Sequence, residues 1–135
     1  MGRKILVVDD VEFVRKTLME ILRSAHYQIV GEAADGSEAV EMFKNLSPDL
    51  VTMDVVMPRV SGIDAAKKIL RADKDARIVM ITAMGQESLI MEAINAGVKD
   101  YILKPFNAAD VLKTIERAMI GEDRGSKNPF KDTKA

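Results

Sequence analysis

Four short apolar runs in this sequence end in side chains able to do chemistry. Ile5-Leu6-Val7-Val8 is followed by Asp9-Asp10, Leu50 to Met53 by Asp54, Ile78 to Ile81 by Thr82-Ala83, and Tyr101-Ile102-Leu103 by Lys104-Pro105. An Asp or Thr at a strand end commonly does no more than cap a turn. That reading explains any one of the four, but poorly explains three carboxylates, a hydroxyl and an ammonium at four strand ends out of five. Carboxylates brought together repel, so they share protons or gather round a cation. Oxygen ligands without His or Cys point to a hard ion. A site with few protein ligands and room for water and phosphate oxygen suits Mg²⁺ better than Ca²⁺. The metal and Lys104 together would neutralise the oxygens of a phosphoryl group in transit, and Thr82 could donate a hydrogen bond to one of them. There is no cysteine, and the one histidine, His26, falls by pattern at the end of a helix, where a surface or capping role is expected. The covalent nucleophile is therefore expected to be a carboxylate, forming an acyl phosphate.

These residues need a scaffold that gathers strand ends. A fifth apolar run, Gln28 to Ala33, ends in Ala33-Ala34, as an edge strand away from the site would. The first, third and fourth runs are continuously apolar, as expected of central parallel strands covered on both faces. Between the runs, apolar residues recur at helical spacing: Val14, Leu18, Ile21, Leu22 and Ala25; Ala39, Val40 and Phe43; Ile63, Ala66, Ile69 and Leu70; Leu89, Ile90, Ala93 and Ile94; Val111, Leu112, Ile115 and Met119. Asp35 with Glu38, Ser61 with Asp64, and Asn107 with Asp110 each place a capping side chain three residues before an acid, and Gly97 reads as a helix stop. Strand and helix alternate five times, which predicts an α/β domain with a parallel sheet between helices, built from right-handed crossovers. Ligands of such sheets bind beyond the carboxyl ends of the strands, where the chemistry lies.

At 135 residues, 47% hydrophobic and 30% charged, the chain has the length and balance of one folded domain. Its net charge of -1 lacks the basic excess that binding nucleic acid through phosphates requires. The absence of cysteine excludes disulfides and thiolate chemistry and agrees with a reducing cytoplasm. No apolar stretch has the length of a membrane span or of a signal-peptide core. After Ile120 the composition turns polar, so a folded unit over 1–120 followed by a solvated tail over 121–135 is expected.

Asp9-Asp10, Asp54 followed by Met57-Pro58 and Gly62, Thr82-Ala83, and Lys104-Pro105-Phe106 together resemble the response-regulator receiver family, in its order and spacing. The Ala83-Met84-Gly85-Gln86 stretch is most similar to its stand-alone chemotaxis branch. The resemblance implies a flavodoxin-like (βα)5 fold with strand order 2-1-3-4-5. It implies that Asp54 accepts a phosphoryl group from a histidine kinase. Mg²⁺ would be held by Asp10, Asp54, the Val56 backbone carbonyl and, through water, Asp9. Lys104 would pair with Asp54 or its phosphate, across a cis peptide bond to Pro105. Thr82 would move toward the phosphate as Tyr101 turns inward, remodelling the face made by the fourth helix, fifth strand and fifth helix for an output partner.

The implied protein is a cytoplasmic, monomeric signalling switch, not an enzyme acting on other substrates. Its expected partners are a chemotaxis-type kinase, a flagellar motor switch protein or similar target, and a phosphatase. The Lys99-Asp100 surface beside Tyr101, with Met84 and Met91, is a candidate partner patch. Val56 and Met84, apolar where relatives can carry acidic or amide groups, are expected to set the phosphate lifetime.

A receiver serving a phosphorelay, or one separated from a DNA-binding output domain, is the alternative within the family. A Mg²⁺-dependent aspartyl phosphatase is less favoured, because such enzymes place a general acid two residues after the nucleophile and Val56 stands there. A flavin or dinucleotide carrier is disfavoured because no glycine-rich cradle follows the first strand, where two aspartates would repel phosphate.

Overall fold

The computed structural model describes residues 2–121; the expected polar tail lies, from 122 onward, outside the described residues. Five strands, β1 (Lys4–Val8), β2 (Gln28–Ala33), β3 (Leu50–Asp54), β4 (Ile78–Thr82) and β5 (Asp100–Leu103), alternate with five helices. The helices are α1 (Glu12–Ser24), α2 (Gly36–Leu46), α3 (Gly62–Ala72), α4 (Glu87–Ala96) and α5 (Ala108–Met119). All neighbouring strands pair in parallel, in the order β2-β1-β3-β4-β5. This is the expected fold and strand order, with β2 at an edge.

Residues alternate along each strand, so the sheet divides its apolar side chains between two cores. Leu6, Val8, Val51, Met53, Ile78 and Met80 pack on one face with Ala39, Ile63, Ile69, Ile90 and Ile94 from α2, α3 and α4. Ile5, Val7, Leu50, Val79, Ile81 and Ile102 pack on the other with Leu18, Leu22, Val111 and Ile115 from α1 and α5. Burial on both faces is why β1, β3 and β4 read as unbroken apolar runs.

The caps form as the sequence predicts: the side chains of Asp35, Ser61 and Asn107 accept from the backbone N–H groups of Glu38, Asp64 and Asp110. Gly97 closes α4 at φ 118°, a left-handed conformation that favours glycine. His26 is exposed just past α1, at φ 70°. Among the described residues no helix is long and apolar enough to cross a membrane.

Candidate functional site

Parallel pairing brings the ends of β1, β3, β4 and β5 to one edge of the sheet, and with them Asp9, Asp54, Thr82 and Lys104. Asp9 follows β1 and is fully buried; Asp54 is the last residue of β3 and 8% exposed; Asp10 is exposed beside them. One carboxylate oxygen from each of the three lies within 4.8 Å of the others. The Lys104 ammonium donates to Asp54 Oδ1 at 3.2 Å and lies 3.5 Å from Asp9 Oδ2. That second approach is an ion-pair contact without hydrogen-bond geometry, so buried Asp9 Oδ2 is left with no hydrogen-bond donor. Asp9 Oδ1 accepts from the Val11 N–H, while the Asp9 carbonyl accepts from Arg15 Nη1 at 2.8 Å.

Electrostatics follow from this crowding. Burial, then the charge of Asp9, push the Asp54 pKa from the ordinary 3.8 to about 6, against the pull of Lys104. Burial works to lower the Lys104 pKa, yet the charges of Asp54 and Asp9 outweigh it and hold the ammonium above its ordinary value. At neutral pH Asp54 is therefore mostly ionised, beside an ammonium that keeps its proton.

The loops supporting the site are tightly built. Behind Asp54, the Val55 N–H donates to the Ile81 carbonyl, and the Gly62 N–H returns to the Val55 carbonyl at 2.9 Å. A Cβ on Gly62 would lie 1.7 Å from the Asp54 carbonyl oxygen, so only glycine lets α3 start this close to the acid. On the other side the Lys104 N–H donates to the Thr82 carbonyl at 2.7 Å, and the Lys104-Pro105 peptide is cis, as expected.

An acidic cluster with an undonated buried oxygen, oxygen-only donors and an exposed third carboxylate fits a hard divalent cation. The nearby ammonium and the buried hydroxyl of Thr82 supply the donors that a phosphoryl group needs.

With this geometry in view, comparison with known proteins settles the family. The profile of the response regulator receiver domain matches residues 5–116. The chain belongs to the response-regulator receiver family. Chemotaxis protein CheY of Thermotoga maritima is 47% identical over 117 residues, spanning 87% of this chain and 98% of the relative. CheY of Bacillus subtilis is 48% identical over 119 residues, spanning 88% and 99%. Among solved structures, a CheX-CheY-BeF3-Mg²⁺ complex from Borrelia burgdorferi matches with a TM-score of 0.81 at 40% identity, spanning 84% of this chain and 86% of that one. The receiver fold read from the sequence and its similarity to CheY both stand.

Two further expectations meet the structure differently. Val56 and Met84 are exposed, at 54% and 83%, in the loops that follow β3 and β4, where side chains can face an incoming group. The Lys99-Asp100 surface patch is corrected: Asp100 is completely buried, and its carboxylate accepts from Arg117 Nη2 at 3.0 Å and from the Tyr101 N–H at 2.8 Å. An aspartate opening an edge strand reads as surface in a sequence; here α5 lies over it and supplies the guanidinium. Tyr101 and Met91 are half-buried, which leaves Met84 as the exposed member of that set.

Sequence reasoning also missed two side chains that hold the site. Arg15 joins the β1–α1 loop to β2, donating to Asp9 and, at 2.6 Å, to Glu32. Gln86 turns back to Thr82. Gln86 was legible only as part of the branch motif, because nothing in a glutamine's type announces which donors it meets.

Proposed function

We propose that this protein is a phosphorylation-controlled switch in a two-component pathway, with Asp54 as the acceptor. A carboxylate oxygen of Asp54 attacks the phosphorus of a histidine kinase's phosphohistidine, the P–N bond breaks to the imidazole, and an acyl phosphate forms. The carrying observation is a buried carboxylate at the sheet's carboxyl edge, 3.2 Å from the Lys104 ammonium and grouped with two further carboxylates. With its pKa at about 6, Asp54 is mostly ionised at neutral pH and able to act as nucleophile.

Asp10, Asp54 and the Val56 carbonyl would hold Mg²⁺, with Asp9 reaching it through water. The ion would supply charge neutralisation of the phosphoryl oxygens. Lys104 holds the opposite side of that charge, and Thr82 donates to a phosphoryl oxygen once its hydroxyl is free. Movement of Thr82 with Tyr101 would then shift the face of α4, β5 and α5 between two nearby states, so that phosphorylation biases a population.

The identities to CheY from Thermotoga maritima and Bacillus subtilis support a chemotaxis output, with a chemotaxis kinase upstream and a flagellar motor switch protein downstream. The match to a CheY solved with CheX, BeF3 and Mg²⁺ supports phosphoryl and Mg²⁺ chemistry at this site. In this reading the protein is a cytoplasmic monomer that catalyses only its own phosphoryl transfer and loss, and a phosphatase is a further partner. Its receiver unit spans 1–120, with 121–135 as a polar tail. The apolar side chains at Val56 and Met84 give the attacking water no polar help, and so set the phosphate lifetime.

Acetyl phosphate with Mg²⁺ tests the assignment: wild-type protein should label to one phosphoryl group per chain, and Asp54→Asn should not label. Full labelling of Asp54→Asn would refute the acceptor. In the same assay the label on a Val56→Asn, Met84→Glu protein should decay at a rate several-fold different from wild type; an unchanged decay would remove the lifetime role.

A further inference from the structure

Thr82 ends β4 one strand over from Asp54, and the residue is 3% exposed. Its hydroxyl has a single proton. That proton is directed to Gln86 Oε1 at 2.8 Å, and the same oxygen accepts from the Ala83 N–H at 2.8 Å. The second bond fixes the orientation of the carboxamide, because a backbone N–H can only donate and must meet oxygen and not nitrogen. Facing that oxygen, the Thr82 hydroxyl must be the donor. Its other acceptor within reach, the Ala83 carbonyl, is at 3.4 Å and offers a weaker bond.

Gln86 is also the residue before α4, where a polar side chain ordinarily caps the helix; here it makes no cap bond. Its acceptor is used on the β4–α4 loop instead. Gly85, at φ 89° with open space around its Cβ position, provides the left-handed turn that brings Gln86 back over Thr82. Gln86 and Thr82 share with Ile90, Tyr101 and Leu103 the wall of a cavity of about 110 Å³ between α4 and β5. That space lies where the loop and the tyrosine can rearrange once the pair separates.

We infer that Gln86 is a positioning residue that latches the switch, competing with the phosphoryl group for the one proton of Thr82. While Gln86 Oε1 accepts it, Thr82 cannot donate to a phosphoryl oxygen; when a phosphoryl oxygen takes it, the carboxamide keeps only the Ala83 N–H, and the loop that leads into α4 loses its tie to β4. The latch rests on the receiver reading of the site, and it adds the element that sets how readily the site responds. By linkage, removing the competing acceptor must tighten binding of any phosphoryl mimic that needs Thr82.

Beryllium trifluoride with Mg²⁺, titrated on the full chain, tests this. Gln86→Leu keeps the bulk and loses the acceptor, and should bind the mimic about threefold to tenfold more tightly, the range for one net hydrogen bond. Gln86→Glu keeps the acceptor and should not bind it more tightly than wild type. In a Thr82→Ala background, where the proton is gone, Gln86→Leu should change nothing, which closes a double-mutant cycle. Equal tightening with and without the Thr82 hydroxyl, no tightening in Gln86→Leu, or tightening in Gln86→Glu would each overturn the latch. The receiver reading fails separately: wild type would then not bind the mimic, or Asp54→Asn would bind it as well.

Discussion

Two buried aspartates sit at opposite ends of the sheet, Asp54 at the close of β3 and Asp100 at the start of β5, and each meets a cationic side chain. Around Asp100 both carboxylate oxygens find donors. Arg117 donates to Oδ2 through both Nε and Nη2, at 3.2 and 3.0 Å, and the Tyr101 N–H fills Oδ1. Around Asp54, among the described residues, the Lys104 ammonium reaches Asp54 and Asp9 in a cluster of three acidic side chains, and a buried oxygen of Asp9 receives no hydrogen bond. A carboxylate with both oxygens filled, one of them by a guanidinium, holds α5 against β5. A cluster of three acids with an undonated buried oxygen is costly to keep, and it is the place where a cation gains most. Burial alone distinguishes neither; the count of donors against acceptors does.

The largest expected effect that would break this contrast is at the matched pair. Arg117→Met leaves the Asp100 carboxylate buried without its guanidinium and should lower unfolding stability by about 3 kcal/mol, measured by urea denaturation, with Mg²⁺ affinity little changed. A loss under 1 kcal/mol would show that the pair is not structural. The acid site should behave in the opposite sense. Because the folded pKa of Asp54, about 6, lies above the ordinary 3.8, its ionised form penalises the fold at pH above 6, and the penalty is relieved as pH falls through 6 toward 3.8. Asp54→Asn should therefore stabilise the protein by about 2 kcal/mol at pH 7–8, with the gain shrinking toward zero near pH 4. A loss of stability at pH 7 would contradict the crowding. Smallest in stability is Asp10→Asn: its carboxylate is exposed, so a change within about 0.5 kcal/mol is expected, while Mg²⁺ affinity by titration should fall at least tenfold. Unaltered Mg²⁺ binding would remove Asp10 from the ligand set.

The parts legible in the sequence are those that local pattern controls. Leu50 to Met53 and Ile78 to Ile81 read as central strands because both faces are covered, and each lengthens in the structure by the one polar residue that ends it, Asp54 and Thr82. The capping pairs at Asp35, Ser61 and Asn107 were legible because donor and acceptor lie three residues apart. Asp100 was misread because its partner Arg117 lies 17 residues on, on a different element, and only packing decides which helix covers an edge strand.

The sequence by itself determined that Asp9, Asp54, Thr82 and Lys104 close apolar runs, and parallel strands that alternate with helices must present those ends together. Strand period and chain direction are local properties, so the composition of the site was already written. Tertiary structure decided the stoichiometry among the described residues: the Lys104 ammonium in a cluster of three acids, an oxygen of Asp9 without a donor, a guanidinium for Asp100 and a carboxamide on Thr82. Asp54 and Lys104 are 50 residues apart, and no spacing rule reaches that far. Which donors meet which acceptors is settled only when the helices dock, because hydrogen bonds require approach within about 3 Å and the chain's own geometry fixes positions that closely only within a turn or two.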